Sequence, residues 1–355
     1  MLHKPYYDPE KSYEDNFNKG PFGAFVNKKK YKDGGEPKYE FLGQKVYLPF
    51  GIPSGPLING NFVKGALDKG FDLVEYKDTR TRKYPCHPLP NIIPLNIKGN
   101  LTIKKAEKGV VEAKKYKSPI SITNSFGIPS MDPSFWQNDL AKTIKYAKKG
   151  QVVIGGLQGT LPEKGGFDAY LKDFILIAKL VKETKVKIIE LNLSCPNEGA
   201  DHLLCFDVER SKKVVESVRK VIGDIPLIIK IAYFPDKEHF EKFVKAICPI
   251  VDAVAAINTI TTKIFNDKGE PALTAGRLTS GTCGEPIRWA GLEMTKRLKS
   301  LRKKLNMKYK IIGVGGVLKP KDYFTYIESG ADAVMSATGS MWNPYLAQEI
   351  KKHLK

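Results

Sequence analysis

The strongest constraint on the fold is an alternation of apolar, β-prone segments with amphipathic segments of helical periodicity. From residue 150 onward six such pairs follow one another, and two earlier β-prone segments raise the number of strands to eight. Alternating strands and helices require parallel pairing with right-handed crossovers. Eight units predict an α/β fold, a closed (β/α)8 TIM barrel with its site at the carboxyl ends of the strands. The predicted strands are 49–55, 71–78, 152–157, 188–193, 226–231, 253–258, 309–314 and 333–337, and the predicted helices are 61–69, 136–149, 167–184, 208–222, 237–247, 289–304, 320–329 and 343–354.

Two parts of the chain fall outside this rhythm. Residues 1–45 are rich in Lys, Gly, Tyr and Asp, and they predict an irregular N-terminal extension around a barrel domain of residues 46–355. Residues 79–135, inserted after the second strand, are rich in Pro, Asn and Gly and predict a small two-stranded excursion. An insertion of this length usually has a function. An open doubly wound sheet is the competing fold, but no early Gly-x-Gly-x-x-Gly fingerprint supports it.

Composition excludes several classes of protein. The net charge is +20, but the basic residues are spread along the chain without a zinc-finger or RNA-binding motif, so nucleic-acid binding is not expected. Five widely spaced cysteines without a Cys-x-x-Cys pair indicate neither a disulfide framework nor an iron–sulfur site, and they favour a reducing cytoplasm. No long apolar run or apolar N-terminal core predicts a membrane span or a signal peptide, and no metal site is predicted.

Polar side chains gather where the predicted strands end, which indicates a site at one face of the barrel. They are Lys77, Asn192, Cys195, Lys230, Asn258 and Thr259, with Asn124 on the insertion. Asparagine offers a donor and an acceptor and can read an amide or imide edge. A cysteine with a lowered pKa can serve as a base or nucleophile. The alternative is a strand end where asparagines tie down a turn and Cys195 is a small buried thiol.

Glycine-rich segments follow the last two strands. Gly315 and Gly316 come after strand seven, and Ala337 and Thr338 come after strand eight. In barrels these two loops often bind phosphate through backbone N–H groups, which glycine lets approach closely. A further segment around Gly281 is predicted to open the helix at 289 and could contact the same group, while plain tight turns are the alternative.

The string Asn192-Leu193-Ser194-Cys195-Pro196-Asn197, with the two later glycine loops, resembles the class 1 dihydroorotate dehydrogenases over residues 46–350. The resemblance implies an FMN-bound barrel that oxidises (S)-dihydroorotate to orotate in pyrimidine (UMP) biosynthesis, usually as a homodimer. Class 2 enzymes of the same chemistry are membrane-linked and have a serine base and an apolar N-terminal helix. Cys195 and the polar N-terminus therefore favour class 1.

The resemblance also assigns roles to residues. Cys195 is the general base that takes the C5 proton while hydride passes to FMN N5. Lys77 lies between substrate and flavin, and Lys230 lies near the flavin N1–O2 edge, where it would stabilise negative charge. The substrate-binding residues would be Lys77, Asn124, Phe126, Gly127, Ile128, Asn192, Asn197, Asn258 and Thr259, and the FMN-binding residues Ser54, Gly55, Lys77, Asn192, Lys230, Gly281, Gly315, Gly316, Ala337 and Thr338.

Two features depart from the family pattern. Asp78 follows Lys77 where the family usually has Ser or Thr, and an acid there would disfavour reduced anionic flavin unless it points away. The loop 198–206 has an unusual sequence that brings in His202 and Cys205. His202 is either part of a proton relay or an incidental loop residue.

Three rival functions stay open on the sequence. One is a related FMN-dependent dihydropyrimidine dehydrogenase, which would not need to bind a carboxylate. The second is a flavin-free barrel that binds a sugar phosphate, and the third is an inactive barrel that binds FMN without turnover. The electron acceptor is also open between fumarate, a nicotinamide reached through an electron-transfer partner subunit, and quinone.

Overall fold

The computed structural model describes residues 2–27, 29–194, 203–274 and 276–354. The strands are β1 (Tyr39–Phe41), β2 (Gln44–Val46), β3 (Phe50–Ile52), β4 (Leu73–Thr79), β5 (Val110–Val111), β6 (Ser121–Asn124), β7 (Val152–Leu157), β8 (Ile189–Asn192), β9 (Leu227–Ile231), β10 (Ala253–Ala256), β11 (Ile260–Phe265), β12 (Thr279–Gly284), β13 (Lys310–Val314) and β14 (Ala333–Met335). The helices are α1 (Tyr13–Lys19), α2 (Gly60–Asp68), α3 (Ile103–Lys108), α4 (Pro133–Tyr146), α5 (Gly166–Glu183), α6 (Val208–Ile222), α7 (Lys237–Ile247), α8 (Arg288–Lys304), α9 (Pro320–Ser329), α10 (Thr338–Trp342) and α11 (Leu346–Lys352).

Eight parallel strands close into a barrel in the order β3-β4-β7-β8-β9-β10-β13-β14, which confirms the predicted (β/α)8 fold. The outer helices form because their sequences are amphipathic and capped. In α6, for example, the Asp207 side chain accepts a hydrogen bond from the Arg210 amide, Val214 and Val218 face the core, and the helix ends at Gly223 with a positive φ. The strands are buried on both faces, and most of their residues are apolar, apart from a few polar residues on the inner face such as Glu190 and Lys230.

Alternation along the strands builds layers inside the barrel. The lower layer is apolar and includes Leu73, Ile188 and Ile228, which pack in one cluster with Phe41 and Val46 of the β1–β2 hairpin. Two residues further along the same strands, the inward positions become Glu75, Glu190 and Lys230, all of them buried. The interior therefore changes from apolar to ionic one layer below the carboxyl ends of the strands.

The insertion folds differently from the prediction. Its strands β5 and β6 do not form an excursion of their own but flank β11 and β12 in a four-stranded sheet of order β5-β11-β12-β6. The segment around Gly281 is strand β12 rather than the opening of a helix, and α8 begins at Arg288 after a short 3-10 turn. Both predictions were wrong because β12 pairs with β6 across more than 150 residues, and a local pattern cannot indicate such a partner.

The N-terminal extension contains more regular structure than its composition indicates. Ser12 caps α1 by accepting from the Asp15 amide, and the β1–β2 hairpin spans the predicted boundary at residue 45. The amide of His3 donates to the Trp342 carbonyl, and the Tyr6 hydroxyl lies 3.1 Å from the Ser340 hydroxyl. The extension therefore covers α10, the short helix that follows the last barrel strand.

The end of the chain forms two helices where one was predicted over 343–354. Helix α10 ends at Trp342 and α11 begins at Leu346, because Pro344 disfavours a helical conformation at Asn343, whose φ and ψ are −128° and 83°. The segment predicted as a phosphate-binding turn after strand eight is the first turn of α10. Among the described residues no helix is long and apolar enough to cross a membrane.

Candidate active site

A cavity of about 430 Å³ opens at the carboxyl ends of the barrel strands. Its walls come from the ends of β4, β8 and β9, from the loops after β3 and β10, and from the insertion with the sheet that it shares with β11 and β12. We call it the mouth cavity. The sequence-predicted residues that line it are Ser54, Gly55, Lys77, Asn124, Phe126, Gly127, Ile128, Asn192, Lys230, Asn258, Thr259 and Gly281.

A second, smaller space adjoins the mouth cavity and is mainly apolar. It shares Ser54, Asn124, Lys230 and Asn258 with the mouth cavity, and it extends to Ala337, Thr338, Ile257 and Val314. Tyr7 of the N-terminal extension also lines it. The two spaces together lead from the polar strand ends to the first turn of α10.

Gly315 and Gly316 do not line either space, although their neighbour Val314 does. Both glycines have positive φ, at 121° and 66°. A Cβ on Gly316 would lie 2.5 Å from the Arg288 Cβ, so only glycine lets the chain pass α8 here. Both residues are buried in the turn after β13, directly beyond the lining of the smaller space.

Lys230 is at the centre of the ionic layer. Its Nζ donates to the Ser54 hydroxyl at 2.7 Å and to Glu190 Oε1 at 2.9 Å, and it lies 3.8 Å from Asp78 Oδ2. Burial opposes a charge on this amine, but the carboxylates of Asp78, Glu190 and Glu75 outweigh it and raise the pKa of Lys230. The charged form of the lysine is therefore favoured, described residues engage two of its three protons, and its side chain lines both spaces.

Asp78 points into the site, because the β4–β7 register shifts between Tyr76 and Thr79. Its Oδ1 accepts from the Ser54 hydroxyl and its Oδ2 accepts from Asn192 Nδ2, each at 2.8 Å. The alternative that this acid points away from the site is therefore wrong. Both of its oxygens are engaged by donors that also belong to the cavity wall.

Asn192, the last residue of β8, and Asn258, just after β10, are both held by hydrogen bonds. Asn192 donates to Asp78, and its Oδ1 accepts from the amide and hydroxyl of Ser194 at 2.9 and 3.1 Å. Asn258 Nδ2 donates to the Ser194 carbonyl at 3.2 Å, and its Oδ1 takes no part in this hydrogen bond. Asn124, at the end of β6, pairs directly with Gly281 of β12 at the cavity wall.

Lys77 has a different environment from Lys230. Its side chain is buried and lines the cavity, and burial lowers its pKa, with Asp78 acting in the opposite direction. Unlike Lys230, the Lys77 ammonium forms no ion pair with any of the described carboxylates. It is therefore the cation of this site that most readily changes its protonation or accepts an anionic ligand.

Arg277 and His87 line the mouth cavity but were not predicted. Arg277 donates to the Ser125 hydroxyl at 2.6 Å, to the Pro88 carbonyl at 2.6 Å and to the Thr274 carbonyl at 3.0 Å. Within the described ranges its guanidinium meets these neutral oxygens and no carboxylate. The sequence carries no signal for this role, because the contacts join three loops that are distant along the chain.

Cys195, Asn197 and His202 lie outside the described residues, so their predicted roles stay predictions. Cys205, the other cysteine of the unusual loop, is described. It is fully buried, and burial raises its pKa to about 12, so its thiol stays neutral. Cys283 borders the smaller space and is partly exposed, but desolvation also raises its pKa to about 12, so neither thiol is suited to act as a base.

Comparisons with known proteins agree with this geometry. The family model described as dihydroorotate dehydrogenase matches residues 38–355. A dihydroorotate dehydrogenase of Dictyostelium discoideum is 38% identical and covers 98% of this chain and 97% of its own length. The catalytic subunit of a dihydroorotate dehydrogenase B (NAD(+)) from Thermodesulfovibrio yellowstonii is 27% identical over 74% of this chain and 82% of its own. An Enterococcus faecalis protein named "Probable dihydroorotate dehydrogenase A (fumarate)" is 24% identical over 70% and 77%.

Proposed function

Since the chain belongs to the dihydroorotate dehydrogenase family, we propose that its mouth cavity oxidises (S)-dihydroorotate to orotate with FMN as cofactor. The reaction removes a proton from C5 and a hydride from C6 of the ring. One observation carries the proposal. Three asparagines and two buried lysines, from five different segments, line one cavity at the carboxyl ends of the strands.

The residues present fit FMN. The two adjoining spaces offer a polar wall at Lys230 and Asn192 and an apolar wall at Ile257 and Val314, as a flat ring with one hydrogen-bonding edge requires. Lys230 has a proton left for such an edge. The buried glycine turn after β13 and Thr338 would hold the phosphate through backbone N–H groups. FMN supplies the acceptor for the hydride when it is bound.

The substrate would be held by groups of matching chemistry. Asn124, Asn192 and Asn258, with Asn197, would meet the amide edges of the pyrimidine ring. The backbone of residues 126–128 would meet the carboxylate, near Lys77 and near Arg277, whose guanidinium pairs with no carboxylate in the described part of the chain. Cys195 as a thiolate would accept the C5 proton.

The rival functions differ in what they require. A dihydropyrimidine dehydrogenase would have no use for a cation beside the segment 126–128. A flavin-free sugar-phosphate barrel would have no use for asparagines from three separate segments of the chain. We further propose that the enzyme works in the cytoplasm as a homodimer, with fumarate, a nicotinamide reached through a partner subunit, or quinone as electron acceptor. The proposed cytoplasmic location is supported by the cysteine spacing, which does not resemble that of a disulfide framework.

Turnover with two substrates tests the proposal. We expect orotate to form from (S)-dihydroorotate, and we expect dihydrouracil, which lacks the carboxylate, to react at least about 100-fold more slowly in kcat/KM because a charged contact is lost. Equal or faster reaction of dihydrouracil would assign the enzyme to the dihydropyrimidine class.

Arg277 is expected to strengthen substrate binding. Replacing it with Gln removes the charge and should raise the Kd of orotate by about 10-fold, which corresponds to one charged hydrogen bond. Replacing it with Lys keeps the charge but not the fork to Ser125 and Pro88, and should raise the Kd less. Isothermal titration with orotate and with uracil separates the cases. An equal loss for both ligands would mean that Arg277 only shapes the loops.

Gly316 is expected to be required for FMN binding. In Gly316→Ala the new Cβ meets Arg288 and the backbone is strained by about 1–2 kcal/mol, so we expect the turn to shift and FMN affinity to fall by about 10-fold. Gly223→Ala is the matched control, since its φ of 67° is the same but no atom lies within 4 Å of the added Cβ. Fluorescence titration of the apoprotein with FMN measures both. Equal losses in the two variants would remove the turn from the cofactor site.

A further inference from the structure

Two oxygen atoms in the ionic layer have no hydrogen-bond donor among the residues that the structure describes. They are Glu75 Oε1 and Glu190 Oε2, on two side chains with no exposed surface. The other oxygen of each group is engaged, because Glu75 Oε2 accepts from the Ser54 amide at 2.7 Å and Glu190 Oε1 accepts from Lys230. Burying an ionised carboxylate with an unpaired oxygen costs free energy, so these two oxygens require an explanation.

The two carboxyl groups face each other. They come from inward positions of β4 and β8, and oxygens of Glu75, Asp78 and Glu190 lie within 4.8 Å of one another. Gly156 of β7 provides the space for these carboxyl groups, because a Cβ at this position would lie 2.9 Å from Glu75 Oε1. A metal ion does not suit these carboxylates, because the Lys230 ammonium already lies against two of them.

We propose that Glu75 and Glu190 share one proton, carried by Glu75, and that this acid pair positions Lys230 and keeps its charge available to the cofactor. A proton on Glu75 Oε1 can form a hydrogen bond to Glu190 Oε2, and both of these oxygens then have a hydrogen-bond partner. Of the two groups Glu190 is the one expected to stay ionised, because it accepts a hydrogen bond from the Lys230 ammonium. The role toward the cofactor rests on the proposed function, whereas the shared proton does not.

The charge balance of the site supports this placement. Burial raises the pKa of Glu75 well above its ordinary value, and Glu190 raises it further, while Lys230 acts in the opposite direction. With Glu75 neutral and Lys77 protonated, the two carboxylates of Asp78 and Glu190 are balanced by the two cations Lys77 and Lys230. With Glu75 ionised, one negative charge is in excess beside the position where the reaction delivers an electron pair.

Infrared spectroscopy of the holoenzyme at pH 7 tests the shared proton. A protonated carboxyl absorbs apart from carboxylates, and ¹³C labelling of the glutamate side chains shifts its band and separates it from Asp72, whose pKa burial raises to about 7. Glu75 and Glu190 are the only buried glutamates among the described residues. We expect a label-sensitive band in the wild type that is absent in Glu75→Gln and retained in Asp78→Asn.

FMN affinity tests the positioning role. Glu75→Gln keeps a neutral donor for Glu190, so its Kd for FMN should stay within about 2-fold of the wild type, whereas Glu75→Leu leaves a buried carboxylate oxygen unpaired and should raise the Kd by about 10-fold or more. A wild-type protein without the labelled band would overturn the shared proton, whether or not Glu75→Gln folds. Equal FMN affinity of the Gln and Leu variants would overturn the positioning role. If only the proposed function is wrong, the protein would not turn over dihydroorotate but would still show the labelled infrared band.

Discussion

Replacing Cys195 with alanine is expected to lower kcat at neutral pH by about 10²- to 10⁴-fold while FMN stays bound, because the reaction would lose its proposed proton acceptor but keep the proposed cofactor site. Serine at the same position should recover activity only as the pH is raised, since its hydroxyl is a far weaker acid than a thiol. Stopped-flow measurement of the absorbance change on adding dihydroorotate isolates the chemical step from later steps.

Cys205→Ala provides the matched control for Cys195. It removes a thiol ten residues further along the chain that is buried, with a pKa raised to about 12 by burial. Its rate per bound FMN should stay within about 2-fold of the wild type, because a neutral thiol contributes little to proton transfer. A Cys195→Ala rate close to that of Cys205→Ala would show that another group takes the proton.

Replacing Lys230 with methionine is expected to destabilise the fold by about 3–5 kcal/mol and to abolish FMN binding at micromolar concentrations. The destabilisation follows because Glu190 and Asp78 lose the ammonium that lies 2.9 and 3.8 Å from them. The loss of binding follows because Lys230 is the cation that borders both spaces. Urea unfolding and FMN titration of the apoprotein measure the two effects separately.

Lys351→Met separates those two effects. Lys351 is also buried and also bridges two carboxylates, Asp33 and Asp72 at 2.9 and 2.8 Å, but it lies on α11 away from the mouth cavity. We expect a comparable loss of stability with unchanged FMN affinity. In the double variant Lys230→Met/Glu190→Gln, stability should partly return while FMN binding does not. Recovery of FMN binding there would contradict a direct role of Lys230.

The sequence predicts the barrel well because its repeating unit is local. Each strand and each outer helix has its own hydrophobic period and caps, so helices such as α6, α7 and α9 have the predicted bounds. The shared sheet of the insertion was not predicted, because β6 and β12 are paired by distant residues. Local signals also missed α10, whose five residues are too few to show a period.

The same distinction holds for the candidate site. Asn192, Lys230 and Asn258 could be found because each ends a predicted strand, and the carboxyl ends of barrel strands converge. Glu75 and Glu190 looked like ordinary strand residues, and only the closed barrel shows that they face one another beneath Lys230. Arg277 could not be found either, because its partners Ser125 and Pro88 belong to other loops.

An anaerobic absorbance spectrum of the purified protein, before and after addition of dihydroorotate, tests the central proposal most directly. We predict a yellow protein whose flavin band bleaches with one equivalent of substrate as orotate appears. A yellow protein that does not bleach would contradict the substrate and direct attention to other dihydropyrimidines. A colourless protein that cannot be reconstituted with FMN would contradict the cofactor and favour a sugar-phosphate-binding barrel.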